Sequence, residues 1–136
     1  MPVNGYNTNL AAEFHVLSSL HRIGVNANLT LGNKKSVDIV AVRDAGDAVT
    51  IDVKGLAGKT GWPVDNLKPP KPSHFIVFVC VCGRIAGPSF SPEVWVIPSK
   101  KVPALTYHAP GGRRVVSRAT LNSKAKAFRS KWDLVS

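Results

Sequence analysis

The segment SVDIVAVRDAGDAVTIDVK, residues 36–54, decides the fold of this chain. It predicts two β-strands of alternating apolar and polar residues. They are joined by a polar turn at 43–47, whose Gly and Asp residues tolerate tight backbone geometry. Alternation places Asp38 on one face of the first strand, and Asp52 and Lys54 on one face of the second. The apolar residues at the intervening positions of the second strand then point the other way, into a core.

The length of the turn sets the register, with Val42 opposite Ala48 and Asp38 opposite Asp52. Directly opposed residues of an antiparallel pair have Cβ atoms roughly 4.5–5.5 Å apart, and like charges placed there are destabilising. Lys54 supplies part of the compensating charge, and a divalent metal would supply more. The segment therefore predicts a metal-binding pair of carboxylates with an attendant lysine. The alternative is three charges on the solvated face of a hairpin.

The length of 136 residues predicts one domain, spanning residues 1–136, that is large enough to bury a core. No apolar run approaches the length of a membrane span, and the N-terminal residues lack the basic-then-apolar layout of a signal peptide. We therefore expect a cytoplasmic protein with no membrane partner. Cys80 and Cys82 are too few and too local for a disulfide framework or a zinc site, and we expect small core residues.

Basic residues outnumber acidic ones by 18 to 8, which gives a formal net charge of +10. The excess is concentrated in residues 98–136, where nine basic residues accompany Asp133 alone. A charge of this size favours polyanionic partners, of which nucleic acid is the commonest.

Residues 10–22 predict an amphipathic helix that ends before Gly24. Its expected apolar stripe contains Leu10, Phe14, Leu17 and Leu20. Glu13 falls inside this stripe, and a buried carboxylate needs a partner or a metal because its desolvation is costly. The alternative is that Glu13 reaches water from the edge of the stripe.

The rest of the chain predicts three more strands, a proline-rich connector and two helices. The strands are at 25–31, 75–82 and 94–97, the connector at 62–72, and the helices at 100–105 and 122–132. Residues 107–114 are expected to form a loop. The order α-β-β-β-connector-β-β-α-α predicts an α/β or α+β fold, with a mixed central sheet of about five strands flanked by helices.

These motifs together resemble the PD-(D/E)XK nuclease superfamily, which includes many restriction endonucleases and the archaeal Holliday junction resolvases. The matching residues are Ala11-Ala12-Glu13-Phe14, Gly24, Val37-Asp38-Ile39-Val40 and Ile51-Asp52-Val53-Lys54. The motifs lie in the first half of the chain, and the second half matches only in outline. Val37 stands where the motif often has Pro, and Asp52 where Glu is commoner. The resemblance implies a restriction endonuclease-like core.

The resemblance also implies a site and a reaction. Asp38 and Asp52 would hold Mg²⁺ or Mn²⁺, with the carbonyl of Val53 as a further oxygen ligand. Lys54 would position the attacking water and contact the scissile phosphate. Glu13 would orient a water at the metal or complete a second metal site. The implied activity is that of a Mg²⁺-dependent endodeoxyribonuclease, in which a metal-activated water attacks a phosphodiester in DNA.

Basic residues near this site and in the C-terminal part would follow the phosphate backbone, an interaction that weakens with salt. They are Lys34, Lys35, Lys59, Arg113, Arg114 and Lys124. Two other functions fit the composition: a nucleic-acid-binding module without catalysis on the same fold, and an interaction protein with an acidic partner. A homodimer is left open, because cutting two strands often takes two sites.

Overall fold

The computed structural model describes residues 3–31 and 37–136, so the predicted contacts of Lys34 and Lys35 lie outside the described residues. It contains eight β-strands within those ranges. In chain order they are β1 (Asn26–Leu29), β2 (Ile39–Val42), β3 (Ala48–Leu56), β4 (Gly61–Pro63), β5 (His74–Cys80), β6 (Glu93–Pro98), β7 (Tyr107–His108) and β8 (Arg114–Ser117). The α-helices are α1 (Gly5–Arg22) and α2 (Arg118–Lys124).

A five-stranded mixed sheet, in the order β1-β2-β3-β5-β6, forms the centre of the fold. β5 runs parallel to β3, and the other neighbouring pairs are antiparallel. Every residue of β5 is buried, as expected for a central strand covered on both faces. The predicted mixed α+β fold, with five strands flanked by helices, is confirmed.

Helix α1 begins five residues earlier than predicted, because Asn4 and Asn7 cap it reciprocally through side-chain and main-chain groups. The predicted apolar stripe is correct at Leu20, which is buried, and at Leu17, which packs against the core, but wrong at Leu10 and Phe14. Phe14 is 53% exposed, and the residues that α1 buries are Thr8, Ala12, Val16 and Leu20. Close packing against β3 explains which face of α1 is buried. A Cβ added at Gly55 would lie 3.0 Å from the Cβ of Ala12, so small residues allow the helix to lie directly on β3.

Part of the predicted connector forms a second, three-stranded sheet with the predicted loop at 107–114, in the order β4-β8-β7. Trp62 of β4 is fully buried, and its ring makes edge-on contacts with Phe78 and Trp95 at centroid distances of 5.2 and 5.9 Å. Pro63 is tolerated because β4 pairs on one side only. Burial of this indole holds the small sheet on the face of the large one opposite α1.

Both helices predicted in the C-terminal part differ from those observed. Residues 100–105 form two 3₁₀ turns, Ser99–Lys101 and Pro103–Leu105, instead of a helix. The last α-helix is α2, which begins earlier because the side chain of Ser117 accepts a hydrogen bond from the amide of Thr120 at 3.0 Å. Two further 3₁₀ turns, Lys126–Phe128 and Trp132–Val135, follow it.

Apolar side chains pack on both faces of the central sheet. One layer lies between the sheet and α1 and includes Val16, Leu20, Ile39, Ile51, Val77 and Val96. The other includes Trp62, Phe78, Trp95, Ile97 and Leu121, under the small sheet and α2. Cys80 and Cys82 are buried, as predicted. No helix within the described ranges is both long and apolar enough to cross a membrane.

Candidate active site

The β2–β3 hairpin has the register that the sequence predicts. Val42 lies opposite Ala48, and Ile39 lies opposite Ile51. β2 begins at Ile39, so Asp38 stands just before the ladder, with its main-chain amide donating to the carbonyl of Ile51 at 3.0 Å. Asp38 is thereby placed at the edge of β3, beside the segment that carries Asp52.

The carboxylate of Asp38 holds the main chain of β3. Its Oδ2 atom accepts a hydrogen bond from the amide of Val53 at 2.7 Å. The amide of Thr50 donates to Ser73 on the β5 side, so the amide of Val53, three residues further along, faces the opposite edge of the strand. The N–H and C=O groups of one strand residue point to the same edge. The carbonyl of Val53 therefore faces the side on which Asp38 lies.

Asp52 is held by a histidine that the sequence analysis did not single out. His74, which is buried, lies opposite Thr50 in the parallel β3–β5 pair. Its Nε2 atom is 3.2 Å from Oδ2 of Asp52, and its Nδ1 atom is 2.7 Å from Oγ1 of Thr50. A carboxylate only accepts, so Nε2 carries a proton and donates it to Asp52, while Nδ1 forms a hydrogen bond with the hydroxyl of Thr50. The chain Thr50–His74–Asp52 thus orients the Asp52 carboxylate.

Lys54 lies one step further along the same face of β3. Its Nζ atom donates to Oδ1 of Asn66 at 2.6 Å. Burial lowers the pKa of Lys54, and the negative charges of Asp52 and Asp38 oppose that shift. The amine is therefore held in place by a neutral partner and yields its proton more readily than an exposed lysine.

Glu13 reaches the same place from α1. It follows Ala12, the residue that packs against Gly55 of β3, and it is half-buried. Glu13, Asp38, Asp52 and Lys54 line a single cleft of about 290 Å³, together with Asn9, Val53, Asn66, Leu67 and Lys68. The four predicted catalytic residues are brought together from one helix and two neighbouring strands.

The predicted nucleic-acid-binding residues fall into two groups. Arg113 and Arg114 both bind Asp65: the Nε atom of Arg113 is 3.1 Å from Oδ2, and the main-chain amide of Arg114 is 2.7 Å from Oδ1. These hydrogen bonds, with that of the Arg114 amide foremost, lower the pKa of Asp65. Asp65 lines a hollow with Lys54 and Asn66, so the arginines are joined to the edge of the cleft.

The second group lies around α2. Lys59 lines an open hollow of about 630 Å³ with Arg118, Lys126 and polar residues of α2. Lys124 is exposed at the end of that helix. Of the predicted nucleic-acid-binding residues that the structure describes, Arg113 and Arg114 therefore lie near the cleft of Glu13, Asp38, Asp52 and Lys54, and Lys59 and Lys124 lie in a separate patch.

The sequence did not single out Asn66 and Lys68, which line the cleft, or His74, which binds Asp52 without lining the cleft. Asn66 and Lys68 lie in the proline-rich connector, where nothing local predicts that the chain turns back to Lys54. His74 stands immediately before a continuous apolar run, a visible signal of a polar residue at a strand end. Its position beside Asp52 depends on the parallel pairing of β3 with β5.

The donor atoms suit a hard cation. Carboxylate oxygens from Asp38, Asp52 and Glu13, with the carbonyl oxygen of Val53, are the ligand types that Mg²⁺ prefers. No sulfur atom or imidazole nitrogen is among the side chains that line this cleft. Formally, the three carboxylates and the two lysines that line the cleft, Lys54 and Lys68, leave one negative charge, −3 + 2 = −1, and a divalent cation would make the net charge positive.

No protein-family model matches the chain, and no curated protein sequence matches it. Among solved structures, the chain is similar to a bacterial homing endonuclease, I-Ssp6803I, with a TM-score of 0.58. The fold is similar to that of an endonuclease. The superposition covers 97% of this chain and 92% of the endonuclease chain, so the likeness extends over nearly all of both. Sequence identity is 15%, and at that level the comparison shows a common fold alone.

Proposed function

We propose that this protein is a metal-dependent nuclease of the PD-(D/E)XK type, which hydrolyses phosphodiester bonds in DNA. The observation that carries the proposal is the convergence of Glu13, Asp38, Asp52 and Lys54 on one cleft. Binding of phosphate alone gains nothing from three carboxylates at one place, whereas a metal-assisted hydrolysis needs them. The similarity of fold to an endonuclease supports the proposal.

The carboxylates of Asp38 and Asp52 and the carbonyl of Val53 would hold Mg²⁺ or Mn²⁺. Such a cation, when bound, activates water and neutralises the charge that develops at the phosphate. The hydrogen bond that Oδ2 of Asp38 accepts from the amide of Val53 orients this carboxylate. His74 fixes the rotamer of Asp52 from the side of β5. Glu13, on the opposite wall, orients the attacking water.

Lys54 acts on both the nucleophile and the phosphate. Its ammonium hydrogen-bonds a phosphate oxygen, and Asn66 holds the side chain in position for that contact. Because burial lowers the pKa of Lys54, the amine also accepts a proton from the attacking water more readily than an exposed lysine does. Arg113 and Arg114 bind the phosphates that flank the cleft, and Lys59 and Lys124 bind more distant ones.

The test is a cleavage assay on linear, nicked, forked and four-way DNA, each with Mg²⁺, with Mn²⁺ and with EDTA. We expect metal-dependent nicking or cutting that EDTA abolishes. Asp52→Asn and Lys54→Met should each reduce the rate at least about 100-fold while binding persists. Asp44→Asn and Lys100→Met are the matched controls, because both residues are exposed and lie outside the cleft. Both controls should cut at the wild-type rate.

Three outcomes would contradict the proposal. An unchanged cleavage rate in Asp52→Asn would show that the cleft takes no part in the reaction. Salt-sensitive DNA binding without metal-dependent turnover on any substrate would favour a non-catalytic binding module on the same fold. Absence of binding to DNA and RNA at moderate salt would favour an interaction protein with an acidic partner. Sedimentation of the protein with and without a duplex would test the proposed homodimer.

A further inference from the structure

A second cluster of potential ligands lies at the far end of β5, outside the nuclease cleft. Cys80 is the last residue of β5, and Cys82 follows two residues later. Their Sγ atoms are 2.9 Å apart. Cys82 has a φ of +52°, in the left-handed region that residues other than glycine rarely adopt. The chain bends at a strained residue, and the bend turns the second thiol towards the first.

A carboxylate completes this cluster from the neighbouring strand. Glu93, the first residue of β6, lies opposite Cys80 in the β5–β6 ladder. One of its oxygens and the two Sγ atoms all lie within 4.8 Å of one another. The carbonyl oxygen of Gly58 is 3.1 Å from Sγ of Cys80 and adds a fourth candidate ligand atom. Two thiols that served only as core residues would need neither the carboxylate nor the unusual backbone.

We propose that Cys80, Cys82 and Glu93 bind a zinc ion. Two thiolates and a carboxylate are ligands that Zn²⁺ takes in tetrahedral sites, with a backbone carbonyl or a water in the fourth position. Zn–S distances of about 2.3 Å would separate the two sulfurs to about 3.8 Å, so the thiols have to move apart by roughly 1 Å. Binding displaces one proton from each thiol to solvent, and no electron is transferred.

Arg118 supplies the outer support that such a site needs. Its Nε and Nη2 atoms donate to the two carboxylate oxygens of Glu93, at 2.7 and 2.9 Å. Zinc binding exchanges one of these hydrogen bonds for the metal and leaves the other, as is usual for a ligating carboxylate. The set formed by Zn²⁺, two thiolates and a carboxylate carries one negative charge, 2 − 3 = −1, which the guanidinium of Arg118 balances.

The consequence is structural. Cys80 and Glu93 belong to β5 and β6, and Cys82 lies just after β5. Arg118 is the first residue of α2, and Gly58 belongs to the loop before β4. Zinc would fix these elements to one another beside the open hollow lined by Lys59 and Arg118. The basic surface around α2 would then depend on zinc for its shape.

The test uses the full chain, kept reduced with a phosphine and stripped of metal, with Co²⁺ as the spectroscopic probe. We expect the absorption of thiolate-bound tetrahedral cobalt to saturate at one Co²⁺ per chain, and one equivalent of Zn²⁺ to remove this absorption completely. Cys82→Ser should remove the thiolate-to-metal absorption of the two-sulfur site. Glu93→Gln should weaken binding at least about 10-fold and retain that absorption.

Asp52→Asn is the control, because it alters the nuclease cleft alone: it should show the cobalt–thiolate absorption of the wild type, whatever Co²⁺ is lost from the cleft. Its result separates the two sites, so that failure of either proposal can be recognised by itself. Absence of cobalt–thiolate absorption in the wild-type chain would overturn the zinc proposal, whatever the variants do. A Cys80–Cys82 disulfide that persists in the phosphine would overturn it as well.

Discussion

Asp38 has two separable roles in this structure, and a pair of substitutions distinguishes them. Its Oδ2 atom accepts the amide of Val53 at 2.7 Å, and its charge helps to hold a cation. Asp38→Ala removes both. Asp38→Asn keeps an oxygen that can accept the amide hydrogen and removes only the charge. The two variants should therefore differ in stability and agree in their loss of metal binding.

The expected loss of stability follows from the hydrogen bond between Asp38 and the amide of Val53. A buried amide left without an acceptor costs about 1–3 kcal/mol, and the half-burial of Val53 places the cost near the lower end because water can replace part of it. Asp38→Ala should lower the free energy of unfolding by about 1–1.5 kcal/mol, and Asp38→Asn by less than about 0.5 kcal/mol. For a chain of this length, a difference of about 1 kcal/mol moves the unfolding midpoint by roughly 3–5 °C.

The assay is thermal unfolding in EDTA and again in Mg²⁺. A ligand at 100 times its dissociation constant adds about 2.7 kcal/mol to the stability of the state that binds it, so Mg²⁺ should raise the wild-type midpoint. Both variants should lose that increase. Equal destabilisation of Asp38→Asn and Asp38→Ala in EDTA would refute the role of the hydrogen bond. Full Mg²⁺ stabilisation of Asp38→Asn would refute the role of the charge.

Three further predictions concern the walls of the cleft. Gly55→Ala should destabilise the protein by about 1–3 kcal/mol in urea unfolding, because its Cβ would meet Ala12, whereas Gly58→Ala, with open space around it, should have little effect. His74→Ala should raise the Mg²⁺ concentration needed for half-maximal cleavage by about 10- to 100-fold. His74→Gln, which keeps a donor, should restore much of that loss. Lys54→Met should abolish cleavage without destabilising the fold, since burial disfavours the ammonium.

Because the pKa of Lys54 is lowered, the free energy of unfolding should depend on pH, and the direction of that dependence can be stated. Between that lowered pKa and the ordinary value of 10.5, the unfolded chain binds more protons than the folded one. The contribution of Lys54 to stability therefore rises with pH across this interval. Lys54→Met should lack the rise in urea unfolding measured over that range, and an equal rise in both proteins would show that another group causes it.

The parts of the fold that the sequence predicts well are those with local causes. The β2–β3 hairpin follows from strict alternation around a five-residue turn, and the observed pairing of Val40 with Thr50 and of Val42 with Ala48 has the predicted register. β5 follows from an uninterrupted apolar run. In each case the pattern within a few neighbouring residues determines which face is buried, so no knowledge of distant contacts is needed.

The errors have non-local causes. The buried face of α1 was assigned by hydrophobicity, yet the helix turns Ala12 and Thr8 towards Gly55 and leaves Phe14 in solvent, because close approach to β3 requires small residues. His74 reaches Asp52 because β5 pairs in parallel with β3. Asn66 reaches the cleft because the proline-rich connector turns back towards Lys54. Neither contact can be predicted from the residues next to Asp52 in the sequence. Glu13 was predicted to lie inside the apolar stripe of α1. It lines the cleft, but it borders the buried face of the helix instead of lying at the centre of that face.

The distribution of charge explains why this site would need a metal to act on DNA. The chain carries a formal charge of +10, yet its cleft collects Glu13, Asp38 and Asp52 against Lys54. The basic patches draw a polyanion to the surface, while the cleft by itself repels each phosphate that approaches it. With Lys68 counted, the cleft carries one excess negative charge, so a divalent cation makes its net charge positive and turns repulsion into attraction at that one point. The residues that attract DNA to the surface are thus different from those that select the reacting phosphate. Chelation of the metal should therefore suppress cleavage of DNA far more than binding of DNA.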